Sequence, residues 1–131
     1  MGNLSVWAPR VLSLLRIIAA LLFMEHGLMK MFHFPAPQQG APNPLPPILL
    51  AAAWIEIIGG ALMTVGLFTR VAAFVCAGEM AAAYFMFHFP KSPWPGVNQG
   101  DAAILFCWVF LYLVFAGGGA WSLDALVRKR P

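Results

Sequence analysis

The stretch ILLAAAWIEIIGGALMTVGLF, Ile48 to Phe68, runs for 21 residues with one ionisable side chain, Glu56. A bilayer core about 30 Å thick takes roughly 20 apolar residues in a helix, so this run predicts a membrane span. Working outward, comparable runs cover Val11 to Phe32, Val71 to Phe89 and Ala102 to Ala116. The last is short and is expected to draw on Asp101 or on Gly117 to Gly119 at its ends. Two Pro-rich connections, Pro35 to Pro47 and Pro90 to Gly100, and a tight turn at Thr69 and Arg70 separate the runs. Proline at such density stops helices. Each run is continuous over one helix length, without the alternation in roughly ten-residue units of a membrane β-barrel. The expected fold is all-α: a single transmembrane domain over residues 1–131, an integral membrane four-helix bundle.

The rest of the composition agrees. The chain is 61% hydrophobic and 10% charged, with a mean hydropathy of +0.78, more apolar surface than a soluble domain of 131 residues can bury. Eight Lys and Arg against five acids give a net charge of +3, spread along the sequence. That excludes a nucleic-acid-binding tract and a solvated disordered chain. Cys76 and Cys107 lie in apolar runs without a CxxC or a histidine at zinc spacing, so they read as small hydrophobes and no metal site is expected of them. A signal-peptide reading of the first run fails on its length, on Glu25, His26 and Lys30 within it, and on the lack of an A-x-A cleavage site. Arg10, Arg16, Arg70, Arg128, Lys129 and Arg130 fall on the side of the termini, and only Lys30 and Lys91 on the other. The positive-inside rule then expects both termini in the cytoplasm.

An internal repeat runs through the odd-numbered spans. MFHFP occurs at Met31 to Pro35 and again at Met86 to Pro90, and Arg16 precedes Glu25 by nine residues, as Arg70 precedes Glu79. The pattern suggests two tandem helix hairpins in parallel orientation, related by an axis along the membrane normal. The phenylalanines read as an interfacial aromatic belt, and His33 and His88 stand open between belt residues and a functional pair. Trp7, Trp54, Trp94 and Trp121 read as interfacial anchors, and the Tyr84 and Tyr112 hydroxyls as bonded to backbone carbonyls.

Acids inside spans need a partner or a purpose, since a charge at the bilayer centre costs roughly 2.5 to 3.5 kcal/mol. At about 1.5 Å per residue, Glu25, Glu56 and Glu79 lie about 12, 13 and 15 Å below the Pro-rich end. Three helices thus carry an acid at similar depth. His26, Lys30 and His33 follow at i, i+4 and i+7 on one stripe of the first helix. Ala52, Glu56, Gly59 and Gly60 share a face of the second, and Ala72, Cys76, Glu79 and Ala83 one of the third, small residues that let backbones approach. Against this, buried polar groups can serve only as interhelical glue, and Arg16 and Lys30 sit close enough to span ends to snorkel.

His26-Gly27-x-x-Lys30, Trp54-x-Glu56-x-x-Gly59-Gly60 with Gly66-Leu67-Phe68-Thr69-Arg70, and Gly119-x-x-Ser122-Leu123-Asp124 together resemble the DoxX family of small four-helix membrane proteins. Two departures stand out. Asp101 takes the place of the family's usual Glu, and Gly118 replaces a proline, which is expected to loosen a turn. The resemblance implies a multi-pass protein of the bacterial or archaeal cytoplasmic membrane, similar to small subunits of quinone-linked oxidoreductases. A quinone suits the residues as well, because its ring carbonyls need a donor and a proton source in an apolar pocket. No haem, flavin or iron–sulfur pattern is present, so electrons would come from a partner.

The sequence therefore predicts a subunit that binds a quinone-like or other small apolar substrate and supports a redox partner complex. Glu25 and Glu56 are the expected catalytic residues, exchanging protons, and His26, Lys30 and Glu79 the substrate-binding ones. The lipid bilayer and a redox protein, or further copies of the chain, are the expected partners. A small proton- or cation-coupled transporter or channel component is the alternative, and a structural assembly factor without a ligand a further one.

Overall fold

A computed structural model of the chain describes residues 2–128, so Lys129 and Arg130 of the charge argument lie outside the described residues. A 3-10 turn, Leu4–Trp7, leads into α1, Ala8–Phe32. Helix α2 covers Pro47–Val65 and α3 Thr69–Ala83. A π-helical turn, Tyr84–His88, and a 3-10 turn, Phe89–Lys91, prolong α3. Short α4, Pro95–Asn98, precedes α5, Asp101–Ala116, and short α6, Leu123–Arg128, follows it. There is no strand among the described residues. Three helical stretches, Leu4–Phe32, Pro47–Val65 and Thr69–Lys91, are long and apolar enough to cross a membrane. Helix α5 is apolar and 16 residues long, about 24 Å at 1.5 Å per residue. The protein is an all-α membrane helical bundle.

The helices pair as two hairpins. Helix α1 packs chiefly on α2 and α3 on α5; α2 meets α3 less extensively, and α1 barely approaches α5. Glycines explain the close pair: a Cβ on Gly27 would lie 2.7 Å from the Ala53 carbonyl and one on Gly60 2.7 Å from the Met24 Cβ, so α1 and α2 touch backbone to backbone. Gly59 faces Cys76 on α3 instead, so Gly59 and Gly60 serve different neighbours and not one face. Between α1 and α5 stand bulky rings, Phe23 against Phe110 at 4.8 Å and Phe106 at 5.7 Å, which hold those backbones apart.

Each hairpin closes in the same way. Arg16 Nε donates to the Met63 carbonyl (2.8 Å) and Nη2 to that of Thr64 (3.5 Å), while Arg70 Nη1 donates to the carbonyls of Val114 (2.8 Å) and Phe115 (2.6 Å). The last carbonyls of a helix have no partner within it and sit at the negative end of its dipole. In both hairpins the arginine of the first helix covers the end of the second, beside a glycine at positive φ, Gly66 (75°) or Gly117 (78°). Arg16 is only 1% exposed, so it is a structural donor and does not snorkel. The turn between α2 and α3 is Gly66 to Phe68, and Arg70 already lies within α3.

The segment after α5 fastens this end. The Gly118 carbonyl accepts from Arg16 and from Ser13 Oγ (3.0 Å), and Trp121 N donates to Ser13 Oγ (2.9 Å). Asp124 accepts from the amides of Phe68 (2.8 Å) and Thr69 (2.9 Å), where α3 begins. Partial burial works to raise the Asp124 carboxyl, but the Thr69 and Phe68 amides and the nearby Arg128 outweigh it and hold it below its ordinary value. Gly118 is buried, with Ser122 where its Cβ would be, and so is a packed position and not a loosened turn.

Candidate functional site

The opposite, Pro-rich half of the bundle is hollow. A cavity of about 680 Å³ lies among all four long helices, with Glu56, Glu79, Lys30 and His26 on its wall. Glu56 is 1% exposed and takes both its bonds from one cation on the neighbouring helix: Lys30 Nζ lies 2.6 Å from Oε1 and 3.0 Å from Oε2. Gly27, one turn before Lys30, makes this possible, since its missing side chain lets α1 lie against Ala53 and Glu56. Glu79 stands alongside the Glu56 carboxyl on α3. Its Oε2 is buried and has no hydrogen-bond partner among the described residues. The His26 ring lies edge-on to Phe106, 5.9 Å between centroids.

Four of the five predicted site residues thus meet. Glu25 does not: it is exposed on the outer side of α1, away from the cavity, because the α2-facing and α5-facing sides of that helix are taken by Gly27 and Phe23. The cavity is otherwise apolar toward its floor and polar at its mouth, where Gln38, Gln39, His88, Lys91 and Gln99 stand. Four of them, all but His88, belong to the two Pro-rich connections, Pro35 to Pro47 and Pro90 to Gly100.

The π turn brings His88 to that mouth. Arg70 and Glu79 follow Arg16 and Glu25 by 54 residues, but Met86 follows Met31 by 55, so the second repeat carries one extra residue between Glu79 and Met86. A π turn is how a helix absorbs one residue without breaking. His33, the counterpart of His88, instead ends α1 at φ 54° and is exposed. His88 Nδ1 lies 3.0 Å from the Asn98 carbonyl, and Asn98 Nδ2 donates to the Tyr84 hydroxyl (3.2 Å) and the Ser92 carbonyl (2.9 Å). The Tyr84 hydroxyl therefore meets a side chain and not the expected backbone carbonyl. The two histidines are not equivalent, and no group of three or more His, Cys, Asp or Glu among the described residues is placed to hold a metal ion. The difference between offsets of 54 and 55 was the available signal for the turn.

Comparison with known proteins gives the family. The chain is 43% identical over 134 residues to an uncharacterized protein of Haemophilus influenzae, covering 99% of this chain and 100% of that one. It is 26% identical to an uncharacterized membrane protein of Mycobacterium tuberculosis, covering 88% of this chain and 80% of the relative. It is 28% identical to the inner membrane protein YqjF of Escherichia coli, covering 88% and 90%. No solved structure matches. The sequence pattern of the DoxX family matches residues 11–89, and the chain belongs to the DoxX family of membrane proteins.

Proposed function

We propose that this protein is a cytoplasmic-membrane subunit, both termini in the cytoplasm, that binds a quinone-like or other small apolar molecule bearing an oxygen and supports a redox partner complex. The observation that carries this reading is the half-buried Glu79, whose Oε2 is buried and has no hydrogen-bond partner among the described residues, in a largely apolar cavity of about 680 Å³. A pocket of this size with few converging polar groups is what small-molecule binding requires. Glu56 already answers the Lys30 charge. A neutral site then takes Glu79 as the acid, so that it donates a hydrogen bond to a ligand oxygen and is the group that can pass it a proton. His26 supplies a second polar contact from α1, and the Lys30–Glu56 pair fixes the floor against which the ring rests. Glu25, outside the cavity, takes no part in this exchange.

The transporter reading has less support. Below the glutamates the bundle interior is filled by Phe23, Met63, Phe110 and Leu113, each with no exposed surface, and Arg16 is held by carbonyls beneath them. The polar groups thus form a dead end and not a path. Equilibrium binding of a tailless methoxy-benzoquinone to the purified protein tests the proposal: saturable binding that is lost in Glu79→Leu and weakened in Lys30→Met is expected. Proton flux in liposomes without any ring binding would overturn it in favour of a transporter.

A further inference from the structure

Helices α2 and α3 touch at Gly59 and Cys76, where even one methyl group on the glycine would strike the sulfur. Toward the Pro-rich end the same two helices face each other across the cavity. Glu56 and Glu79 stand just above the contact, and small residues, Ala51 and Ala52 on α2 and Ala82 and Ala83 on α3, form the walls that follow. The pair is therefore a V with its carboxyls at the apex. From Gly59 to Ile48 the opening extends about 16 Å at 1.5 Å per residue, close to half of a bilayer core of about 30 Å.

The V also opens sideways. Ile48, Val75 and Met86 line the cavity and are 51%, 48% and 49% exposed, and Ala51 and Ala82 are exposed between them. Residues that border both the cavity and the outer surface of a membrane helix border lipid. A soluble substrate would need only the polar mouth at Gln39 and Lys91. A second opening at hydrocarbon depth, walled by alanines, suits something that is already dissolved in the membrane. The floor chooses its head: Lys30 is neutralised by Glu56, and an anionic group would face two carboxyls, so a neutral oxygen is what Glu79 accommodates.

We propose that the crevice between α2 and α3 is a lateral portal, and that the ligand is a neutral membrane-dissolved amphiphile whose apolar tail lies between Ala51 and Ala82 while its oxygen-bearing head reaches Glu79. This rests on the reading of the cavity as a small-molecule site and adds the route and the tail. A tryptophan at Ala51, whose side chain leans toward the N-terminus of α2 and so away from Glu56, is expected to fill the crevice above the floor, and one at Ala82 to narrow it from α3.

Two measurements test it. In nanodiscs of fixed lipid content, a methoxy-benzoquinone is bound with and without an isoprenoid tail. Ala51→Trp and Ala82→Trp are expected to weaken the tailed form about tenfold, or 1.4 kcal/mol, and to leave the tailless form within about twofold. Ile58→Trp, also exposed on α2 but below the crevice, is expected to change neither. Tailed binding unchanged in both alanine variants overturns the portal while the site stands. In the second arm, a diacylglycerol with a diazirine in one acyl chain is photolysed with the wild-type protein, without any quinone. Adducts on cavity-lining Ile55 and on Met80, which is buried in the bundle, support the portal even if the ring fails to bind, which would overturn the quinone-like reading alone. Adducts confined to outward residues such as Leu14 and Phe115 overturn the portal.

Discussion

At Lys30 a charge sits in the apolar half of the bundle because a second charge stands 2.6 Å away. Removing one member of such a pair leaves the other desolvated, which costs more than removing both. Lys30→Met is therefore expected to destabilise the protein by about 3 kcal/mol, and Lys30→Met/Glu56→Leu by less than that, read as thermal unfolding in detergent. A double variant no more stable than the single would show that a stranded Glu56 charge is not what the single variant suffers from. Glu25 gives the contrast. It shares a helix and a depth with the site but is exposed, so Glu25→Leu is expected to leave benzoquinone binding unchanged, whereas Glu79→Leu abolishes it. From the sequence these two acids lie at similar depth, with Glu25 the expected proton exchanger and Glu79 only a substrate contact. Composition and spacing give a residue's depth, but which way a helix is turned depends on neighbours such as Gly27 and Phe23, and these were not identifiable as contacts in advance.

At the scale of the helix, the repeat and the π turn explain why the two hairpins differ. Both share an arginine over the partner helix's last carbonyls, yet only the second carries the extra residue that turns His88 toward Asn98 and the cavity mouth. Deleting Phe85 restores the spacing of the first repeat. The residues after it then rotate by about 100°, one residue of an α-helix, and His88 leaves Asn98. Such a variant is expected to keep its helix content by circular dichroism but to bind the benzoquinone more weakly. Unchanged binding would mean that the mouth has no part in recognition. The glycine contacts behave differently. Gly60→Ala places a Cβ 2.7 Å from Met24 and 3.2 Å from the Ala20 carbonyl, and since backbone cannot yield as a side chain does, a loss of about 1 to 3 kcal/mol in stability is expected.

Across the whole molecule, the bundle is fastened at the end of its termini and hollow at the other. The helix runs and their proline boundaries were legible because the bilayer imposes length and apolarity on each span directly. The layer of glutamates was legible because charge is costly there. The lock was not: Arg16 and Arg70 read as interfacial cations, and nothing in the local pattern says that a carbonyl 102 residues away, that of Gly118, completes the first of them. Asp124 is the part of this lock that titrates. Its carboxyl is held below the ordinary value of about 3.9, so its contribution is fully present above that value and is lost as the pH falls through the depressed one. Asp124→Asn keeps one of the two acceptor oxygens, so one of the Phe68 and Thr69 amides loses its partner, and removes the charge at the start of α3. At neutral pH the variant is expected to be less stable by about 1 kcal/mol, as for a weakened helix cap. As the pH is lowered, the wild-type protein should descend toward the variant until the gap closes, since the rest of the chain is common to both. Parallel curves, with a gap that does not close in acid, would show that Asp124 acts through its shape and not its charge, and the fastening would then be a matter of hydrogen-bond geometry alone.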